Sequence, residues 1–376
     1  MTQRIREFLR TRRDEGPCVV VDLDVVRDNY QAFAKSLPDT RVFYAVKANP
    51  AIEILELLAR LGSCFDCASL GEIEDVLSVG ATADRISFGN TIKKERDIAR
   101  AYERGVRLFA VDCEAEVDKI ARVAPGSKVF CRILCDGKDA EWPLSRKFGC
   151  DPAMAPRVLE HAHRSGLSAY GVSFHVGSQQ RNPQVWDGAL ASAAEIFREM
   201  AERGIPLSMV NLGGGFPTKY LKEIPGVPTY GQAIFRSLRR HFGNRIPETI
   251  IEPGRGMVGN AGIIESEVVL ISKKSDSDPL RWVYLDIGKF HGLAETMDEA
   301  IRYPIRTPRD GDDLVPCVLA GPTCDSVDVL YEKEPYMLPF SLEIGDKVLI
   351  EGTGAYTTTY SSQNFNGIPG LKQYVI

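Results

Sequence analysis

Residues able to do nucleophilic, acid–base or anion-binding chemistry stand at the ends of apolar runs in this chain. Lys47 follows VFYAV, Asp66 lies in FDCAS, Arg132 closes VFCR, and His175 and Ser178 lie in GVSFHVGS. Gly213, Gly214 and Gly215 close MVNLGGG, and Glu252 with Arg255 closes TIIEPGR. A lysine leaving an apolar run is placed where desolvation favours the neutral amine, a nucleophile towards aldehydes. Alone, it would read as a strand-end lysine snorkelling to solvent. Three consecutive glycines let backbone N–H groups approach an anion, and Arg255 adds a fixed positive charge from the neighbouring run, which together read as a phosphate site. Alone, the glycines would be a tight turn, and the sequence has neither G-x-G-x-x-G nor G-K-[S/T] to indicate a nucleotide. His175 in isolation is as readily a core histidine as a flat ring stacked on a ligand. An amine nucleophile beside a phosphate site calls for a phosphorylated aldehyde, and pyridoxal 5'-phosphate fits both. Glu252 then acquires a role as the carboxylate that keeps the pyridine nitrogen protonated.

These residues need elements to hold them. From about residue 24, short β-branched or apolar runs alternate with segments of helical period, as βα units with a parallel sheet do. The runs are 42–46, 65–69, 85–90, 107–112, 129–134, 170–177, 209–215 and 249–255, and several intervening helices end in Gly (62, 105, 166, 204, 243). The spacing predicts a (β/α)8 barrel over 24–261, with an open doubly wound sheet as the alternative. Active sites in such a barrel gather at the C-terminal ends of the strands, and these residues do so. Beyond residue 261 the pattern changes to strands without long helices, so 262–376, joined by 1–23, is predicted to form a β-sheet domain.

With 376 residues, 44% hydrophobic and 26% charged, the composition excludes a disordered or fibrous chain, and two domains are the default. A net charge of −5 provides no electrostatic footprint for nucleic acid or an anionic membrane. No apolar run reaches the ~20 residues of a membrane span, and the polar start lacks a secretory signal, which points to the cytoplasm. The nine cysteines are scattered and odd in number, as in a reducing compartment. Cys64 and Cys67 form a C-x-x-C, but in a strand pattern unlike a redox motif. Neither they nor His161 and His163, two apart on a helical pattern, have the spacing of a zinc site, and no metal is expected.

The chain resembles the fold-type III pyridoxal-phosphate decarboxylases, the alanine-racemase-like barrel group that includes ornithine, lysine, arginine and diaminopimelate decarboxylases. The resemblance rests on YAVKAN (44–49), FDCAS with GEI (65–73), KFG (147–149), GVSFHVGSQ (171–179), NLGGGFP (211–217), EPGR (252–255), GPTCDSVD (321–328) and GAYTTTYSSQNFNG (354–367), in the family's order over nearly the whole chain. It implies that Lys47 forms the covalent link to the cofactor, that His175 stacks on its ring and that Glu252 pairs with the pyridine nitrogen. It implies further that Ser178, Gly214, Gly215, Arg255 and Tyr356 hold the phosphate, with Asp66 and Arg132 as polar neighbours. Cys324 is implied as the acid that returns a proton to the α-carbon, and Asp286 with Asp325 as the pair that binds a distal ammonium. Members are homodimers, each site completed by the cysteine segment of the other subunit.

Two carboxylates favour a terminal cation over a distal carboxylate, so a diamino acid is expected rather than diaminopimelate. Ornithine and lysine differ by one methylene, worth about 1–3 kcal/mol in a pocket. Ornithine, decarboxylated to putrescine in polyamine biosynthesis, ranks first because Asp286 is the shorter acid, with lysine or dual use as the alternative. An amino-acid racemase, or a regulatory homologue without catalysis, ranks lower because the lysine, the phosphate residues and Cys324-Asp325 are all present.

Overall fold

The computed structural model describes residues 1–135, 140–142 and 147–376. They form two compact units, one of Arg27–Pro217 with Ile224–Met257, the other of Met1–Val26, Thr218–Glu223 and Val258–Ile376.

The first unit is a closed barrel of eight parallel strands: β1 (Thr40–Ala45), β2 (Cys64–Cys67), β3 (Ile86–Phe88), β4 (Leu108–Val111), β5 (Lys128–Arg132), β6 (Ser168–Ser173), β7 (Met209–Asn211) and β8 (Glu248–Ile251). Each strand pairs with the next, and β8 closes onto β1. The barrel, not the open sheet, is the arrangement formed. Several strands stop earlier than their apolar runs: β6 ends at Ser173 and β7 at Asn211, because the residues beyond turn away, with Gly213 at φ 66°.

Strand alternation organises the interior. Phe43, Cys64, Ala110, Phe130, Met209 and Ile250 meet in one buried cluster. Successive side chains on a strand point to opposite faces, so residues two further along return to the same face. Two positions after Cys64, Phe130, Met209 and Ile250 come Asp66, Arg132, Asn211 and Glu252. An apolar layer therefore floors a polar one, and the strand pairs Ala45↔Asp66 and Arg132↔Ser173 keep the upper layer in register. The loop after β2 is short because the next helix starts at once. After β2, the Ser69 hydroxyl accepts the Glu72 N–H at 3.2 Å and the Glu72 carboxylate accepts the Ala68 N–H at 2.6 Å, capping the helix Leu70–Ser78. Helix Ile52–Leu61 ends at Gly62 with φ 91°, a left-handed conformation that glycine adopts without penalty.

The second unit is built on a sheet ordered Ile305–Arg306, Lys347–Glu351, Gly262–Ser272, Arg281–Leu285, Leu314–Ala320 and Val329–Pro339. The strand Cys18–Val21 pairs antiparallel with Gly262–Glu265 and parallel with Lys372–Val375, so both chain ends are woven into it. A helix over Gln3–Thr11, absent from the strand-only expectation, precedes it and buries Ile5 against Cys18, Val20 and Ile263. Among the described residues no helix is long and apolar enough to cross a membrane.

Candidate active site

Lys47 sits in a single helical turn, Val46–Ala48, directly after β1. Its Nζ lies 3.4 Å from Asp66 Oδ2, and its side chain is 49% exposed, so it is less desolvated than the apolar run suggests. Asp66 is buried, and its other oxygen accepts the Ser87 hydroxyl at 3.1 Å from the paired position on β3. A Cβ on Gly89 would stand 1.7 Å from that oxygen, so glycine is required for the carboxylate to occupy its place.

Glu252 follows β8 above the apolar layer. Burial, with the Asp66 charge second, pushes its carboxyl up to about 7, while Lys47, an Asn211 hydrogen bond and Arg132 pull it down. Asn211, buried at the end of β7, donates to Glu252 Oε1 and accepts the Gly213 N–H at 2.9 Å. One side chain thus ties the carboxylate to the glycine turn. Burial lowers the Arg132 guanidinium from its ordinary value, and its carbon lies 5.4 Å from the Phe148 ring centre.

His175 Nδ1 accepts the Gly177 N–H at 3.0 Å, which leaves Nε2 as the protonated nitrogen of the neutral ring. Burial first, then the charges of Arg132 and Lys47, push its pKa down to about 3. The ring borders the glycine turn, where a Cβ on Gly214 would lie 3.2 Å from His175 Nε2 and 2.7 Å from the Glu252 carbonyl.

The glycine turn is also part of a cradle suited to an anion. Arg255, 3% exposed, donates to Ser178 Oγ at 3.2 Å, which holds guanidinium and hydroxyl together. Gly213 and Gly215 approach backbone so closely that a Cβ would come within 2.0 Å of the Phe174 carbonyl and 2.4 Å of the Gly177 carbonyl. Among the described residues the N–H groups of Gly214 and Gly215 donate to no backbone carbonyl. The donor set suits pyridoxal phosphate: cationic and N–H groups for a phosphate, a carboxylate of raised pKa for a ring nitrogen, and an accessible amine for an aldehyde.

The remaining expected residues belong to the second unit. Cys324 and Asp325 are exposed neighbours on the loop between Leu314–Ala320 and Val329–Pro339. Asp325 Oδ1 accepts the Val327 N–H at 2.9 Å, and the Cys324 N–H donates to Asn366 Oδ1 at 2.8 Å. Tyr356 lies in the GTGAY turn at φ 57°, 5.7 Å ring to ring from Tyr360. Asp286 stands elsewhere in the same unit. Asp286 Oδ1 accepts the Ser266 hydroxyl at 2.6 Å and the Glu267 N–H at 2.8 Å, which makes it part of its own sheet. It lines a cavity of about 640 Å³ with Arg12, Asp14, Glu265 and Lys347. It is held there because it directly follows the strand Arg281–Leu285, beside the ladder partner that supplies both donors.

Cys64 and Cys67 are both free and buried, Cys64 in the barrel floor and Cys67 three residues on, pointing to the other face. Among the described residues no cluster of His, Cys, Asp and Glu could hold a metal ion. Sequence reasoning missed Asn211 and Ser87. The signal for Asn211 was the period of two from Met209, but an amide beside three glycines reads as turn chemistry.

Residues 23–259 match the family described as pyridoxal-dependent decarboxylase, pyridoxal binding domain. The chain is 36% identical over 358 residues to the lysine/ornithine decarboxylase of Selenomonas ruminantium, covering 95% of this chain and 88% of that one. It is also 35% identical over 386 residues to antizyme inhibitor 2 of Xenopus laevis, covering 98% and 82%. Among solved structures, SrLDC in complex with PLP and cadaverine has a TM-score of 0.89 at 34% identity, over 100% of this chain and 94% of that one. The arginine decarboxylase of Paramecium bursaria Chlorella virus has a TM-score of 0.90 at 29% identity, over the whole of both chains. The barrel that brings Lys47, Glu252 and Arg255 to one rim is therefore a pyridoxal-binding domain, and the chain belongs to the pyridoxal-dependent decarboxylase family.

Proposed function

We propose that the protein decarboxylates a basic amino acid with pyridoxal phosphate as cofactor, and that L-ornithine, giving putrescine and carbon dioxide, is its first substrate. Lysine is the alternative, or a second substrate of the same site. The observation that carries the reading is the adjacency of Cys324 and Asp325 on one exposed loop, an acid for the α-carbon next to an anion for a distal ammonium. Relatives named lysine/ornithine and arginine decarboxylase support a basic side chain.

The residues take these parts. Arg255, Ser178 and the N–H groups of Gly214 and Gly215 hold the phosphate, joined in our reading by Tyr356. Lys47 supplies the amine that binds the aldehyde carbon, with Asp66 beside it to receive or return a proton at Nζ. Glu252, oriented by Asn211, would hold a proton at the ring nitrogen. His175 stays neutral at any working pH, so it contributes a flat stacking surface and no acid. Bound pyridoxal phosphate supplies the electron sink for the pair left when carbon dioxide departs. Cys324 then delivers a proton to the α-carbon, and Asp325 binds the distal ammonium. We place these two residues in the barrel site of a second copy, making the protein a homodimer, and locate it in the cytoplasm, in keeping with its nine free cysteines.

A second reading, a binding protein without catalysis, draws on the likeness to antizyme inhibitor 2. Lys47, the phosphate cradle and Cys324-Asp325 favour the enzyme. Assaying ornithine, lysine, arginine and diaminopimelate side by side for amine and carbon dioxide tests both readings. Putrescine should form fastest. Release of carbon dioxide from diaminopimelate alone would refute the basic substrate, and no release from any of the four would refute the enzyme.

A further inference from the structure

Asp328 is 2% exposed and lies at the end of the loop that carries Cys324. Its Oδ2 accepts the Thr323 hydroxyl at 2.7 Å and the Thr323 N–H at 3.2 Å, one residue before the cysteine. Its Oδ1 accepts the Lys289 N–H at 2.7 Å from a different segment. Two glycines make room for it: a Cβ on Gly288 would stand 2.2 Å from Oδ1, and one on Gly321 would stand 2.3 Å from Oδ2. The backbone closes the same loop, since the Gly321 N–H donates to the Asp328 carbonyl at 2.8 Å and the Asp328 N–H to the Asp325 carbonyl at 3.1 Å.

A buried carboxylate is expensive unless several donors serve it, and hydrogen bonds to a charge are about twice as strong as neutral ones. Here those donors come from the residue preceding Cys324 and from the segment 288–289. On the other side Asn366 holds the Cys324 N–H, and the tail bearing it is bound to the same segment by the Ser362 N–H and hydroxyl on the Phe290 carbonyl, at 2.7 and 2.8 Å. The exposed thiol therefore sits on a loop clamped from both sides, with Asp328 as the charged clamp.

We infer that Asp328 is a positioning residue that places the Cys324 thiol for proton delivery. The inference rests on the reading that Cys324 is the α-carbon acid. In that step the S–H bond breaks as a C–H bond forms with the electron pair left at the α-carbon, and solvent reprotonates sulfur. If the thiol is misplaced, a proton falls instead on the cofactor's aldehyde carbon, and hydrolysis leaves an aldehyde and pyridoxamine phosphate. A displacement of about 1 Å suffices to change such a competition by up to ~100-fold.

The test compares cofactor-loaded wild type, Asp328→Asn, Thr323→Val and Cys324→Ala, reading the ratio of pyridoxamine phosphate to amine, KM, cofactor content and thermal midpoint. Asp328→Asn should raise the abortive share roughly tenfold and Thr323→Val a few-fold. Cofactor content and KM should stay within about twofold, and Cys324→Ala should raise the share furthest. A merely structural residue would lower stability and total activity but leave the ratio alone. A wild-type ratio in Asp328→Asn, or in Thr323→Val should the first fail to fold, overturns the inference if Cys324→Ala does shift it. A wild-type ratio in Cys324→Ala shows instead that the Cys324 reading itself has failed.

Discussion

The barrel rim and the Cys324 loop hold their functional groups by different means. On the rim, Asp66, Arg132, Asn211 and Glu252 each stand two residues beyond a member of the apolar floor, so strand register holds them. The raised Glu252 and the lowered His175 both result from burial, with neighbouring charges as the second cause. On the loop, Cys324 and Asp325 are exposed, and their placement depends on Asp328 and Asn366. The contrast separates a rim organised by regular structure from a loop organised by a few side-chain hydrogen bonds.

The contrast is sharpest at Lys47, which we propose makes the covalent link to the cofactor. Lys47→Ala should lower turnover on the order of a thousandfold or more. Borohydride treatment of the wild type should fix the cofactor on the peptide containing Lys47, and labelling of another lysine would remove the rim assignment.

Next in size is Cys324→Ala. Loss of a positioned acid typically removes about 10²–10⁴ of rate. The variant should keep full cofactor content, because the loop takes no part in holding the phosphate. Loss of cofactor along with activity would erase the division between the two regions.

Asp325→Asn should then cost on the order of ten- to a hundredfold in kcat/KM on ornithine, as expected for a charge-assisted hydrogen bond of roughly 1.5–3 kcal/mol. A substrate analogue without the distal amine should lose little. Asp286→Asn should affect both substrates equally and mainly lower thermal stability, because its carboxylate serves Ser266 and Glu267. A loss confined to the diamino acid in Asp286→Asn would show that Asp286 and Asp325 act together on the distal ammonium.

The smallest effect belongs to pH. Between the ordinary carboxyl value of 4.5 and about 7, Glu252 in the folded cofactor-free protein keeps a proton that the unfolded chain has released. Stability contributed by this group is therefore full below 4.5, falls as pH rises through that window and levels off above it. Melting of the cofactor-free protein should show a decline of roughly a few degrees across the window. The Glu252 part of this slope should vanish in Glu252→Gln, and an identical pH profile in the variant would mean that burial does not tune the rim.

By itself the sequence determined the barrel and most of its rim. Apolar runs of strand length alternating with capped helices leave few other closed solutions, and a side-chain period of two carries chemistry-bearing residues onto the same inner face as the floor. Local order along the chain was enough there, because each functional residue sits within a few positions of the strand that holds it. What only the tertiary structure decided lies between residues distant in sequence. Asn211 reaches Glu252 because β7 and β8 are neighbours, Ser87 reaches Asp66 through the β2–β3 pairing, and Asp286 is claimed by a strand some twenty residues earlier. A carboxylate is chemically the same in a sheet ladder, beside a buried amide or on an exposed loop. Which donors surround it, and therefore what it does, depends on the packing of elements that no local pattern encodes.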